Sequence, residues 1–249
     1  MRIFFTFCFL TILSGCQSIQ PSEDFAYKEI VTSQFKIASW QKITEKDADY
    51  RIYIEGDGHA FNARGLPSKN PTPRGELMRE LSFNDPAPNV IYIARPCQYV
   101  KDDACIVSYW TTKRFAPEVI ESEYDAIKQI VGNKNITLIG YSGGAQIAGL
   151  IAVKYPDLKI KKVITIAGNL DHKTWTEYHK LPPLEGSLNL ADDKEKFATV
   201  PQIHYVGGKD EVIPSELTQK FAAEENIVVV KNATHGTGWK PVYSLIYQQ

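Results

Sequence analysis

Five consecutive residues, Gly140-Tyr141-Ser142-Gly143-Gly144, set a hydroxyl nucleophile among the smallest neighbours a chain can supply. They follow the apolar run Asn135-Ile136-Thr137-Leu138-Ile139 and lead into Ala145-Gln146-Ile147-Ala148-Gly149-Leu150-Ile151-Ala152-Val153. This pattern predicts a strand, a turn too tight for side chains, and a helix, with the serine at the apex. A strand that reverses directly into a helix forces its apex residue into a strained backbone conformation. Gly140 and Gly144, having no Cβ, avoid the collisions that follow. The hydroxyl of Ser142 is then left above the sheet, over a helix N-terminus that favours developing negative charge. Serine is a weak nucleophile until a base removes its proton, and the base needs a carboxylate to hold its tautomer. A chance glycine-serine turn would need none of these flanking elements.

The strand, the G-x-S-x-G turn and the helix resemble the nucleophile elbow of the α/β-hydrolase superfamily. That resemblance implies a chain order of serine, then an acid, then histidine, with the last two on loops after late strands. Of five histidines, His235 alone is in that place: it follows Ile227-Val228-Val229-Val230 through Lys231-Asn232-Ala233-Thr234. The stretch Gln202-Ile203-His204-Tyr205-Val206, then Gly207-Gly208-Lys209-Asp210, then Glu211-Val212-Ile213-Pro214 resembles the family's acid turn. Asp210 is the expected acid and Glu211 a distant second. His59, His172, His179 and His204 read as structural or pocket-lining. The resemblance further implies two backbone donors for a tetrahedral oxyanion. One is the N–H of Gly143; the other comes from Gly56-Asp57-Gly58-His59, with Asp57 first and Gly58 next. Glu55-Gly56 stands where the family commonly has His-Gly, so the roles of Asp57 stay open: backbone donor, selector of cationic or hydroxyl-bearing substrates, or turn cap. Tyr141, beside the nucleophile, and Trp175 are the residues expected to touch substrate.

Apolar runs of strand character alternate with helical patterns, the signature of a largely parallel sheet covered on both faces. Strands are expected at 35–43, 50–55, 89–94, 136–140, 162–167, 202–206 and 227–230, with a shorter one at 29–32. Helices are expected at 75–81, 117–131, 145–155, 214–224 and 241–247, three of them opened by Pro117, Pro214 and Pro241 at first-turn positions. The fold class is α/β, an α/β-hydrolase fold with a mostly parallel eight-stranded sheet. Between Ala167 and Gln202 no clear strand is seen. Residues 170–199, with Trp175, Tyr178 and Leu184, read as a cap-like insertion, since long insertions in compact domains are usually functional. The aromatic and cationic stretch from Arg95 to Phe115 either lines the pocket or packs upon itself; both readings stand.

The first residues read as targeting. Arg2 precedes the apolar run Ile3 to Leu13, which has the length of a signal-peptide core. It ends in Leu13-Ser14-Gly15-Cys16, which resembles the lipobox of bacterial lipoproteins. By that resemblance residues 1–15 are removed, Cys16 carries lipid, residues 16–27 tether the chain and 28–249 form the hydrolase domain. Gln17 and Ser18 lack the Asp that would retain such a protein in the inner membrane, which implies an outer-membrane anchor facing the periplasm. Of four cysteines, Cys97 and Cys105 then remain as a pair, and an oxidising compartment makes a disulfide the natural assignment. Two cysteines without nearby histidines cannot complete a zinc site. A net charge of −1 argues against a nucleic-acid surface. The expectation is a serine hydrolase that needs no metal or organic cofactor and cleaves a small-molecule carboxylic ester. Amide or peptide cleavage is the enzymatic alternative, and a non-catalytic envelope binding protein on this fold is the alternative of another class.

Overall fold

The β-branched and aromatic runs pair into one sheet in the computed structural model, which describes residues 21–249. Its strands are β1 (Ala26–Val31), β2 (Lys36–Ile43), β3 (Tyr50–Ile54), β4 (Asn89–Ile93), β5 (Asn135–Tyr141), β6 (Lys159–Ile166), β7 (Gln202–Gly207) and β8 (Ile227–Val230). Their spatial order is β1-β2-β4-β3-β5-β6-β7-β8. β1 pairs with β2, and β2 with β4, antiparallel; every later pair is parallel. This is the α/β-hydrolase fold. The helices are α1 (Leu77–Phe83), α2 (Pro117–Val131), α3 (Gly143–Lys154), α4 (His172–Tyr178), α5 (Lys194–Phe197), α6 (Ser215–Phe221) and α7 (Lys240–Tyr247).

Because side chains alternate along a strand, one sheet feeds two cores. Ile52 and Ile54 of β3, Ile91 and Ile93 of β4, and Leu138 of β5 face α2 and α3. Tyr53, Tyr92 and Ile139 point the other way, towards Met78 and Leu81 of α1 and Val242 and Ile246 of α7. All five residues of β4 are buried, and full burial of each isoleucine contributes about 1.5–3 kcal/mol. Covering both faces leaves the strand ends as the place where polar side chains can meet in a cleft. Register brings those ends level: Ile54 lies beside Gly140, Tyr141 beside Ile166, and Gly207 beside Val230.

Several boundaries differ from the sequence expectation for local reasons. β1 begins at Ala26, and Phe25 is buried against the ring of Phe83 at 5.0 Å. The folded unit therefore takes in residues assigned above to the tether. α1 starts at Leu77 rather than Gly75, after the prolines at 71 and 73. Pro214 caps α6 instead of opening its first turn, and the helix ends at Phe221 because Ala222 is extended. Cys97 and Cys105 form a disulfide with a Cα–Cα separation of 5.6 Å. The signal sequence and Cys16 lie outside the described residues.

Candidate active site

Ser142 stands between β5 and α3 with φ 50° and ψ −119°, a backbone region that L-residues seldom occupy. Two positions to either side of it, at 140 and 144, only glycine fits. A Cβ on Gly140 would lie 2.5 Å from the Gly144 carbonyl, and one on Gly144 would lie 2.4 Å from the Ile54 carbonyl. The elbow is thereby pressed against the end of β3 and anchored to β6 through Ser142 N–H on the Ile166 carbonyl.

His235 Nε2 lies 3.0 Å from Ser142 Oγ, and its Nδ1 lies 2.9 Å from Asp210 Oδ2. Asp210 Oδ1 accepts the backbone N–H groups of Val212 and Ile213, each at 2.9 Å. A carboxylate so placed accepts from Nδ1–H, which leaves the Nε2 lone pair to accept the serine proton. The Asp210 side chain is wholly buried, while that of His235 keeps 21% of its surface exposed. Glu211, one residue on, is exposed and makes none of these contacts. His204 is a core residue, bonded to Thr165 and Gln202, and burial pushes its imidazole down to about 4.

A family model for serine hydrolases (FSH1) matches residues 85–237, more than half of the chain and the span holding Ser142, Asp210 and His235. The chain belongs to the FSH1 serine hydrolase family. No curated protein matches it by sequence. Among solved structures it is similar to an esterase of Pyrococcus furiosus: 16% identity over 91% of this chain and 90% of that one, with a TM-score of 0.64. It is likewise similar to Est1E of Butyrivibrio proteoclasticus (14%, 89% and 94%, TM-score 0.59). An α/β-fold hydrolase of Bacillus anthracis is a third (12%, 90% and 97%, TM-score 0.60). At these identities the likeness is one of fold.

In this serine hydrolase the serine and histidine open onto a cavity of about 1050 Å³. Trp175, Thr176, Leu181, Pro182 and Leu184 of the 170–199 segment line it, as does Tyr141. The Tyr141 hydroxyl donates to the His235 carbonyl at 3.2 Å, its ring lies 5.2 Å from the imidazole, and burial pushes its phenol up. Trp175 is half-buried and ties α4 to the acid turn by donating Nε1–H to the Val212 carbonyl at 2.8 Å. Of the Arg95 to Phe115 stretch, Thr111, Thr112 and Arg114 reach the cavity, while Trp110 is buried and bonded to the Ser68 carbonyl. Both readings of that stretch therefore apply to different residues of it.

His59 lines the cavity, and beyond it, where the sequence gives no sign of a wall, the β3–α1 loop and the first turn of α1 continue the lining to Met78, including Phe61, Pro67 and Pro73. The loop has no periodicity to flag it. Trp239 was missed too: buried, it donates Nε1–H to the His235 carbonyl at 3.1 Å. Asp57 proves to be an ion-pair partner. Arg114 Nη1 lies 2.6 Å from its Oδ2 and Arg95 Nη1 lies 3.3 Å from its Oδ1. Burial works to raise the Asp57 carboxyl, but Arg114 and Arg95 outweigh it and hold the group below the usual carboxylate range. Its carboxylate covers Gly143 so closely that a Cβ there would sit 2.1 Å from Oδ1. Behind Arg95 lies Glu123, fully buried with Oε1 3.7 Å from Arg95 Nε; burial pushes its carboxyl up to about 8, against the pull of Arg95. The Asp57 N–H has no acceptor among the described residues, and Gly143, opening α3, has none within its helix. Among the described residues no cluster of histidine, cysteine and carboxylate side chains is gathered as a metal site.

Proposed function

We propose that this serine hydrolase cleaves carboxylic esters through an acyl-enzyme formed on Ser142. The hydrogen-bond chain from Asp210 through His235 to Ser142, opening onto the cavity, carries the reading. Ser142 Oγ attacks the ester carbonyl as His235 Nε2 takes its proton, and Asp210 holds the imidazole in register. The N–H groups of Gly143 and Asp57 receive the oxyanion; donors of this kind contribute roughly 10²–10³ each in turnover. The imidazolium returns its proton to the departing alcohol, and water, activated by the same base, releases the acid. Ester rather than amide cleavage is supported by the esterases among the protein's structural neighbours, and the mostly apolar wall of Phe61, Leu77, Trp175, Leu181, Leu184 and Ile213 suits an apolar acyl or alkoxy group.

A fluorophosphonate probe should label Ser142 and stop turnover of p-nitrophenyl esters. Absence of labelling, with the protein folded, would turn the reading towards a non-catalytic binding role. Cleavage of aminoacyl amides without esters would turn it towards an amidase.

We also infer a lipid anchor at Cys16 and a place in the bacterial envelope, facing the periplasm. The Leu13-Ser14-Gly15-Cys16 pattern supports the anchor, and the Cys97–Cys105 disulfide supports an oxidising compartment. Mass spectrometry of membrane-extracted protein should find the mature chain starting at an acylated Cys16; another N-terminus would remove the proposal.

A further inference from the structure

Gln98 is all but completely buried, at 1% exposure, in the loop closed by the Cys97–Cys105 disulfide. Its amide spans two loops. Oε1 accepts the Arg95 backbone N–H at 3.1 Å, and Nε2 donates to the Gly56 carbonyl at 3.0 Å. The orientation of the amide is settled by its partners, since the Arg95 N–H can only donate and the Gly56 carbonyl can only accept. That carbonyl belongs to the peptide whose other end is the Asp57 N–H. A trans peptide is rigid, with its C=O and N–H pointing in opposite directions, so whatever holds the carbonyl also aims the N–H. The peptide lies against the nucleophile: a Cβ on Gly56 would be 3.2 Å from Ser142 Cβ. The Asp57 side chain, clamped by Arg95 and Arg114, leaves the peptide plane as the remaining freedom at this point.

We propose that Gln98 is a positioning residue that sets the plane of the Gly56–Asp57 peptide and so aims the second oxyanion donor, with the disulfide loop holding Gln98 in place. The proposal rests on the reading of Ser142 as nucleophile and the Asp57 N–H as donor. The backbone around Gln98 supports it. Cys97 and Tyr99 have φ of 69° and 61°, a left-handed region that persists in residues other than glycine only where surroundings over-determine it. Here those surroundings are the disulfide at Cys97 and the Thr72 Oγ1, which accepts the Tyr99 N–H at 2.7 Å. Two residues held in this unusual conformation present the amide between them to Gly56.

The test uses the full-length protein and two substitutions of matched volume. Gln98→Glu, assayed above pH 8 so that its carboxyl is ionised, keeps the acceptor for Arg95 but sets a carboxylate oxygen against the Gly56 carbonyl; Gln98→Met keeps volume and loses both bonds. Three quantities are read: kcat/KM on p-nitrophenyl acetate, the Ki of an aryl trifluoromethyl ketone whose serine adduct bears an oxyanion, and the Ki of a product alcohol. Both variants should lose about 10- to 100-fold in kcat/KM, the scale of a misaligned oxyanion donor. The ketone Ki should rise by the same factor while the alcohol Ki moves less than about 2-fold. Lost activity with an unchanged ketone Ki, or equal weakening of all three, would overturn the proposal, because packing alone has no reason to single out the oxyanion. So would wild-type values in Gln98→Met, which has neither the donor nor the acceptor. Replacing both cysteines by alanine should reproduce the effect in the wild type and add little to Gln98→Met; fully additive losses would remove the part assigned to the disulfide loop. Fluorophosphonate labelling of the wild type is the separate control. An unlabelled Ser142 sinks the nucleophile reading, whereas labelling with unmoved Gln98 variants sinks this inference alone.

Discussion

The floor and the wall of the cavity are built by different physics. On the floor, Ser142, Asp210 and His235 sit past the C-terminal ends of β5, β7 and β8, and each is placed largely by its own few residues of turn. Ser142 is raised by two glycines, Asp210 by the N–H groups of Val212 and Ile213, His235 by the loop after β8. In the wall, the loop from Asp57 to Met78 and the segment from Trp175 to Leu184 have little regular structure of their own and are held by distant partners. Asp57 is clamped by arginines 38 and 57 positions away, and Trp175 by a carbonyl 37 positions away. A floor set by short-range sterics tolerates no variation, whereas a wall held by side-chain contacts can change its lining without moving the chemistry.

The largest break falls on the floor. Ser142→Ala should remove turnover by about 10⁶ and leave the fold intact, and Asp210→Asn should cost about 10⁴ through the wrong imidazole tautomer. Activity above a few per cent in the serine variant would show that the floor is not where the chemistry occurs. Gly143→Ala tests the seam between floor and wall. Its new methyl would overlap Asp57 Oδ1, so the β3–α1 loop must shift, with an expected loss of about 10²–10³ in kcat. A variant of normal rate would mean that Asp57 can move without consequence. In the wall, Trp175→Ala should reorder the preference among ester chain lengths by about 10- to 100-fold in specificity ratio, the scale of one buried side chain. A small acetate ester should still turn over. Trp175→Phe, which keeps an aromatic ring but loses the bond to Val212 and part of the indole surface, should shift that ranking less; equal effects would assign the role to the tie with the acid turn instead.

The smallest expected effect concerns the charge cluster behind the wall. Glu123 keeps its proton in the fold up to about 8, from an ordinary value of 4.5. Between those values the native state holds a proton that the unfolded chain has released, so rising pH lowers stability across that window. Glu123→Gln should therefore flatten the fall in Tm between pH 5 and 8 relative to the wild type. An unchanged slope would show that Glu123 ionises freely beside Arg95.

What the sequence determined by itself follows the same division. The strand, turn and helix around Ser142, the glycine-led turn at Asp210 and the position of His235 after β8 are local patterns, legible because backbone sterics and alternating burial act over a few residues. The α/β class was readable from the same alternation. Tertiary structure alone decided the rest. Nothing near Asp57 in the chain shows that Arg95 and Arg114 would claim its carboxylate. No periodicity marks Phe61 as a wall residue or Trp239 as a prop for the His235 backbone. Gln98 reaches Gly56 across 42 positions. Such contacts exist only once the sheet has brought loops from different strands to one edge, where buried polar groups must find whichever partners lie within reach.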